Sequence, residues 1–363
     1  MFTRSFLASC IAAALFVQVS ASAQNGIVYT EASDLTLVGK LMDTPNPYHR
    51  VDTVAFKGFT KGENSQVRQS SGISVAFRTD SPDLYILTQF GEVSRDPTNT
   101  GPISARGYDL YIRENGQWRY AASKCRSVAT LDQPLALITS MEPVMKDCLL
   151  YFPLYSEEYS IKLGIREGSK IEALPNPFRH RIGIFGSSYT HGSCTSRPGM
   201  SYPAQFTRKT GLQMLSLGCS GNSKLQDYFA TVLAAADVDA FVFDSFSNPT
   251  PQMIRERLFP FIEKIQASHP GKPLIFQQTI FRESRAFSTS IDAAEARKME
   301  VADSMMKIAC KKYKDVYFIK PDAVPDDHSA SIDGTHPSNY GYQLWAESIV
   351  KPVTKILRKY GIK

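Results

Sequence analysis

An α/β unit built on a five-stranded parallel sheet, preceded by an all-β sandwich or jelly roll, is the fold class this sequence predicts. Three observations carry it. The first half is made of short β-branched and aromatic runs between turn signals, and the second half alternates apolar runs with helical patterns. Between them, Leu174-Pro175-Asn176-Pro177 breaks any regular element. At 363 residues, 43% hydrophobic and 21% charged, the chain is globular and long enough for two domains. That composition excludes disordered and collagen-like classes.

Residues 1–23 read as a secretory signal peptide. Arg4 supplies the positive end, Phe6 to Val19 the apolar segment, and Ala21-Ser22-Ala23 the cleavage site. Cleavage there would leave Gln24 first and remove one positive charge from a net +6, giving an exported, periplasmic or secreted protein. Leu7-Ala8-Ser9-Cys10 resembles a lipoprotein box, but its cysteine lies near the start of the apolar segment rather than its end, so simple export is preferred. No other run approaches the roughly 20 apolar residues of a membrane span. The mild charge excess comes without a basic run, which argues against nucleic acid as a partner.

Residues 24–175 are expected to form the β domain. Ile27 to Tyr29, Thr53 to Phe59, Ile73 to Phe77, Leu84 to Phe90, Tyr108 to Ile112, Trp118 to Ala121, Leu149 to Phe152 and Ser160 to Ile165 read as strands. The strand at Tyr108-Asp109-Leu110-Tyr111, followed by Asn115-Gly116 and Trp118, is the clearest hairpin. Residues 176–363 are expected to form the α/β domain. Its strands are Arg181 to Phe185, Met214 to Leu217, Ala240 to Asp244, Leu274 to Gln278 and Val316 to Ile319. Helices are expected at Gln252 to Ala267, at Ala293 to Tyr313 and from about Tyr340, the last kinked or interrupted by Pro352. Beyond Cys10 the chain has Cys125, Cys148, Cys194, Cys219 and Cys310. Cys125 and Cys148 could pair within one domain, an odd count leaves a thiol over, and no spacing suggests zinc.

Open α/β sheets bind ligands beyond the carboxyl ends of their strands, so the strand-end loops are where chemistry is sought. After the first strand comes Phe185-Gly186-Ser187-Ser188-Tyr189-Thr190-His191. Ser188 could present a nucleophilic hydroxyl and an N–H to a developing anion, or Ser187 or Ser188 could simply cap a helix. Gly218-Cys219-Ser220-Gly221 follows the second strand, where glycines either let the backbone approach a ligand or make a plain turn. Asn248, after the third strand, either donates an amide or precedes Pro249 as a turn residue. Asp333-Gly334-Thr335-His336 could be an oriented imidazole or a surface histidine beside a turn. Among the other histidines only His191 competes, being three residues from Ser188.

Taken together, a Ser after the first strand, a Gly after the second, an Asn after the third and a late Asp-x-x-His resemble the SGNH/GDSL hydrolases. Ser196-Arg197-Pro198-Gly199-Met200 and Leu217-Gly218-Cys219-Ser220-Gly221-Asn222 resemble a bacterial two-domain branch of that family. That branch carries an N-terminal β domain with a Gly-x-Asp-Leu-Tyr signature, here Gly107-Tyr108-Asp109-Leu110-Tyr111. The resemblance implies a flavodoxin-like sheet, a catalytic set of Ser188, His336 and Asp333, and an oxyanion hole of Ser188, Gly221 and Asn248. It implies no metal and no cofactor. Two departures stand out: the Gly-Asp-Ser-Leu form becomes Gly186-Ser187-Ser188-Tyr189, and the usual Asn-Asp becomes Asn248-Pro249.

There is no G-x-S-x-G elbow, no complete G-x-G-x-x-G after Gly183 and no Walker A sequence. The expected function is a serine esterase acting on acylated carbohydrate, O-acetyl esters above all. The alternatives are a glycan-binding protein that keeps the scaffold without catalysis, a lipase or thioesterase, and an acyltransferase. Sugar, linkage, acyl length and oligomeric state are not legible.

Overall fold

A computed structural model describes residues 26–94 and 98–363, so the expected signal peptide lies outside the described residues. The first half contains β1 (Ile27–Glu31), β2 (Thr36–Val38), α1 (Lys61–Arg68), β3 (Ser74–Thr79), β4 (Leu84–Val93) and α2 (Pro102–Arg106). It continues with β5 (Tyr108–Glu114), β6 (Gln117–Lys124), β7 (Leu135–Ile138), β8 (Lys146–Tyr151), β9 (Ser156–Arg166) and β10 (Ile171–Ala173). These strands make two antiparallel sheets, ordered β1-β9-β4-β7 and β10-β3-β8-β5-β6, with β2 on β3. Phe77, Leu110 and Leu150 of one sheet meet Leu84, Ile86 and Leu163 of the other in a shared buried core, which makes the pair a sandwich. The β5–β6 hairpin turns where the sequence places it, with Asn115 and Gly116 both at positive φ.

One expectation for this half fails. Thr53 to Phe59 is not a strand. Its Phe56 and Phe59 pack against the core of the α/β unit, Phe59 against Tyr228 and Phe229, so its apolar residues cover a neighbour rather than join a sheet. Beside the two sheets the half carries a short helix, α1, which a reciprocal capping box of Thr60 and Glu63 starts. Cys125 and Cys148 are both free thiols, as are Cys194, Cys219 and Cys310. Cys148 sits on β8 inside the sandwich core, away from the β6 edge that leads to Cys125.

The second half contains β11 (Arg179–Gly186), α3 (Ser188–His191), α4 (Tyr202–Thr210), β12 (Leu212–Gly218), α5 (Asp227–Ala234) and β13 (Ala240–Asp244). After these come α6 (Pro251–Ser268), β14 (Leu274–Gln277), α7 (Thr289–Lys312), β15 (Val316–Ile319) and α8 (Asn339–Arg358). The sheet is parallel throughout and ordered β12-β11-β13-β14-β15, with β11 at the switch point. Gly186 is in register with Gly218 on one side and Asp244 on the other, so three strands end in one row. Side chains alternate along β11: Phe185 enters the core under α5, α6 and α7, while Ile182 and Ile184 enter the core under α4 and α8.

Helix α8 runs through Pro352 to Arg358 without interruption. Ile349, Val353 and Leu357 are fully buried on its inner face, and that packing holds the helix across the missing N–H. The two halves are joined by buried polar contacts. Arg50, fully buried, donates to the carbonyls of Gln69, Gln66 and Gly218, the last at the end of β12.

Candidate active site

Gly186 ends β11 because nothing larger fits. A Cβ there would lie 2.0 Å from Thr190 Oγ1 and 2.9 Å from Asp244 Cβ. The two readings of the next serines are both realised, on different residues. Ser187 caps α3 through Tyr189 N–H, and Ser188 is the first helical residue, with its hydroxyl 2.9 Å from His336 Nε2. Ser188 N–H is one of the donors that a helix start leaves without an intrahelical partner.

Asp244, at the end of β13, anchors this turn. Its Oδ2 accepts from Ser187 N–H, Ser187 Oγ and Thr190 Oγ1, and its Oδ1 from Ser247 Oγ. Burial pushes its carboxyl up to about 6 despite the hydrogen bonds from Ser187, Thr190 and Ser247, which favour the charged form. Ser187, which stands where the Gly-Asp-Ser-Leu form has its acid, thus bonds to a carboxylate of the neighbouring strand.

The imidazole arrives from the loop before α8. Asp333 Oδ1 accepts the N–H groups of Thr335 and His336 at 3.0 and 2.7 Å, which curls the loop back on itself. Its Oδ2 takes His336 Nδ1–H at 2.8 Å. With that proton on Nδ1, Nε2 is the lone-pair nitrogen facing Ser188. Burial would raise the Asp333 pKa, but the hydrogen bonds from His336, Asn99 and Thr335 outweigh it and hold the group well below the usual carboxylate range.

Gly221 sits at φ +73° with open space where a side chain would be. Gly218 has a different use: a Cβ there would meet His191 N at 2.2 Å, so it admits the backbone of α3 rather than a ligand. Arg50 on Gly218 O and Gln66 on Ser220 O hold the loop between them. Asn248 Oδ1 accepts from Ser223 N–H at 3.2 Å, while its NH₂ has no hydrogen-bond partner among the described residues. Ser188, Gly221, Asn248 and His336 all line one cavity of about 590 Å³.

His191 does not compete for the serine. It is fully buried, donates Nε2–H to Leu154 O at 2.6 Å, and stacks on Tyr155 at 4.1 Å. Burial, reinforced by Arg50, pushes its pKa well below the ordinary value and keeps the ring neutral.

Several residues of the site carry no sequence signal of their own. Asn99 Nδ2 donates to Asp333 Oδ2 at 2.8 Å, and Thr100 Oγ1 accepts from Cys194 N–H at 3.1 Å; both lie in the β-rich half. Tyr155, from the same half, hydrogen-bonds with Ser193 Oγ and, at 2.7 Å, with Ser220 Oγ. Asn99, Thr100 and Tyr155 line the cavity, as does Arg282 from beyond β14. Only the strand-end position of Arg282 could have drawn attention to it.

Among the described residues one trio of metal-type donors, Cys194, Asp333 and His336, has ligand atoms within 4.8 Å of one another. Two of the three are already hydrogen-bonded together, and burial first, then Asp333, pushes the Cys194 thiol up to about 12. The trio is tied together by hydrogen bonds, with the Cys194 thiol keeping its proton.

A hydroxyl, an imidazole and a carboxylate thus stand in series at the carboxyl edge of a parallel sheet. The sequence matches the GDSL-like lipase/acylhydrolase family over residues 179–355 and the GxDLY N-terminus of SGNH-type esterases over residues 27–171. A crystal structure from Bacteroides ovatus ATCC 8483, described as a GDSL-like lipase, is 33% identical. The match covers 92% of this chain and 98% of that one, with a TM-score of 0.87. The chain belongs to the GDSL-like, or SGNH, hydrolase family.

Two more distant structures share the fold. The salicylyl-acyltransferase SsfX3 of a tetracycline biosynthetic pathway is 19% identical over 92% of this chain and 98% of its own, with a TM-score of 0.68. A family two carbohydrate esterase from Cellvibrio japonicus is 11% identical over the same shares, with a TM-score of 0.58. A search of curated protein sequences found no match. Among the described residues no helix is long and apolar enough to cross a membrane.

Proposed function

We propose that this protein is an exported serine esterase that removes acyl groups, O-acetyl above all, from carbohydrates. The observation that carries it is the continuous chain from Ser188 Oγ through His336 to Asp333, with links of 2.9 and 2.8 Å. Ser188 attacks the ester carbonyl as His336 Nε2 takes its proton, and the proton then goes to the leaving alcohol. Asp333 holds the ring in that tautomer and stabilises the imidazolium. The tetrahedral oxyanion is met by the N–H groups of Ser188 and Gly221 and by the Asn248 amide. Water, deprotonated by the same imidazole, then releases the acid from Ser188.

The carbohydrate part of the reading is supported by the shared fold with a carbohydrate esterase and by the polar lining of the cavity, where Thr98, Asn99, Thr100 and Ser220 can bond hydroxyls. Export rests on the signal-like first 23 residues. The test is acetate release from a panel of acetylated polysaccharides, with p-nitrophenyl acetate as a simple ester. Wild-type release together with a loss of roughly four to six orders of magnitude in Ser188→Ala is expected. Equal rates in the two proteins would overturn the reading.

A further inference from the structure

The cavity lining carries one guanidinium, that of Arg282, and its charge is only partly answered. Arg282 lines the cavity beside Asn248. Its Nη2 donates to Ser247 O at 2.8 Å, its Nη1 stands 3.2 Å from Glu295 Oε1, and its Nε is buried without a partner. Among the described residues Glu295 is the one carboxylate it touches, and Lys298 Nζ donates to Oε1 of that carboxylate at 2.7 Å and stands 2.7 Å from its Oε2. Lys298 also donates to Ser247 O at 3.0 Å. The next cation, Arg285, is taken by Asp292 at 2.8 Å. A buried ammonium and a half-buried guanidinium therefore share one anion, and the guanidinium, with the longer, single contact, faces the cavity.

The unpartnered Nε is buried, but Nη1 and Nη2 each make one contact and keep a second N–H, and a guanidinium edge of that kind is suited to a planar carboxylate. A neutral ester needs no such group, because the oxyanion is already met by Ser188, Gly221 and Asn248. We infer that Arg282 selects substrates that carry a carboxylate near the scissile ester. This deepens the esterase reading and rests on it. Two sources offer that chemistry: a uronic acid on the sugar side, or a dicarboxylic acyl group on the acid side.

Kinetics on four esters separates them. Acetylated galacturonic acid and p-nitrophenyl hemisuccinate carry the carboxylate on opposite sides; acetylated galactose and p-nitrophenyl acetate are their neutral partners. In the wild type one anionic ester should exceed its neutral partner in kcat/KM. Arg282→Gln should lower that ratio by roughly 10–100-fold, the scale of one charge-assisted hydrogen bond, mainly through KM. Arg282→Lys, which keeps the charge and loses the fork, should fall between, and added salt should erode the wild-type preference. No preference for either anionic ester, or an equal fall on charged and neutral esters in Arg282→Gln, overturns the inference. The second result would mean that Arg282 only steadies Ser247 and Asn248. A wild type that cleaves none of the four overturns the esterase reading and this inference with it.

Discussion

Asp109 of β5 and Arg197 of the loop before α4 meet across the two halves of the molecule, with Arg197 Nη1 2.9 and 2.8 Å from the two carboxylate oxygens. The same nitrogen reaches Tyr111 OH at 2.6 Å, and Asp109 also accepts from Gly199 N–H at 2.8 Å. The two signatures singled out in the sequence, Gly107 to Tyr111 and Ser196 to Met200, thus bind each other rather than substrate. Gly199 is small because Tyr111 and Asp109 lie within 3 Å of where its Cβ would be. Asp109 is fully buried, so Asp109→Ala should destabilise the protein by about 3–5 kcal/mol by leaving Arg197 unpaired. Urea denaturation of mutant and wild type measures this, and a change below about 1 kcal/mol would reduce the pair to a passive contact.

Asn248→Ala removes the amide proposed to meet the oxyanion and keeps Ser188, His336 and Asp333. We expect kcat on a simple acetyl ester to fall by about 10²–10³, with KM changed far less. Steady-state kinetics decides, and a defect confined to KM would assign the amide to ground-state binding instead.

Asn99 acts through Asp333. Asn99→Ala should lower kcat roughly 5–10-fold, the worth of one ordinary solvent-exposed hydrogen bond, and should shift the acid limb of the pH–rate profile. Asn99→Asp should do worse, because it sets a second carboxylate against Asp333. A kcat and profile identical to wild type would show that Asp333 needs no help from the β-rich half.

Asp244 gives a pH dependence whose sign can be worked out. Its pKa in the folded protein, about 6, exceeds that of an ordinary carboxylate, so the native state binds the proton more tightly than the unfolded chain does. Stability from this group is fully present below about 4 and is lost as pH rises towards 6, by at most about 3 kcal/mol. Asp244→Asn cannot titrate, so the stability difference between mutant and wild type should change across that window and be flat above it. Denaturant midpoints measured at several pH values test this, and a difference constant from pH 4 to 7 would count against it.

Gly218→Ala should be strongly destabilising, since its methyl would press on the backbone of His191 rather than on a flexible side chain. A normal melting temperature would mean that α3 can shift without cost.

Much of this was legible in the order of residues. Alternating apolar runs and helices predicted the parallel sheet, because period 2 and period 3.6 leave different traces, and all five strands lie where those traces stop. Ser188, Gly221, Asn248 and His336 were found because each follows a strand or a local Asp-x-x-His pattern, and they share one cavity. Thr53 to Phe59 misled because an apolar run reports burial, not the partner that provides it. Pro352 does not interrupt α8, because packing of Ile349 and Val353 outweighs one missing N–H.

What tertiary structure alone decided are the contacts between distant segments. Asn99 reaches Asp333 across 234 positions, Arg50 reaches Gly218 across 168, and Asp244 reaches Ser187 across 57. A lone Asn, Arg or Asp carries no periodicity and no local partner, so its role exists only once the chain has folded. The sequence by itself determined which strand ends could bear chemistry. Hydrogen bonds between parts of the chain with no local relation decided how those groups are held, and folding brought Arg282 to the same cavity.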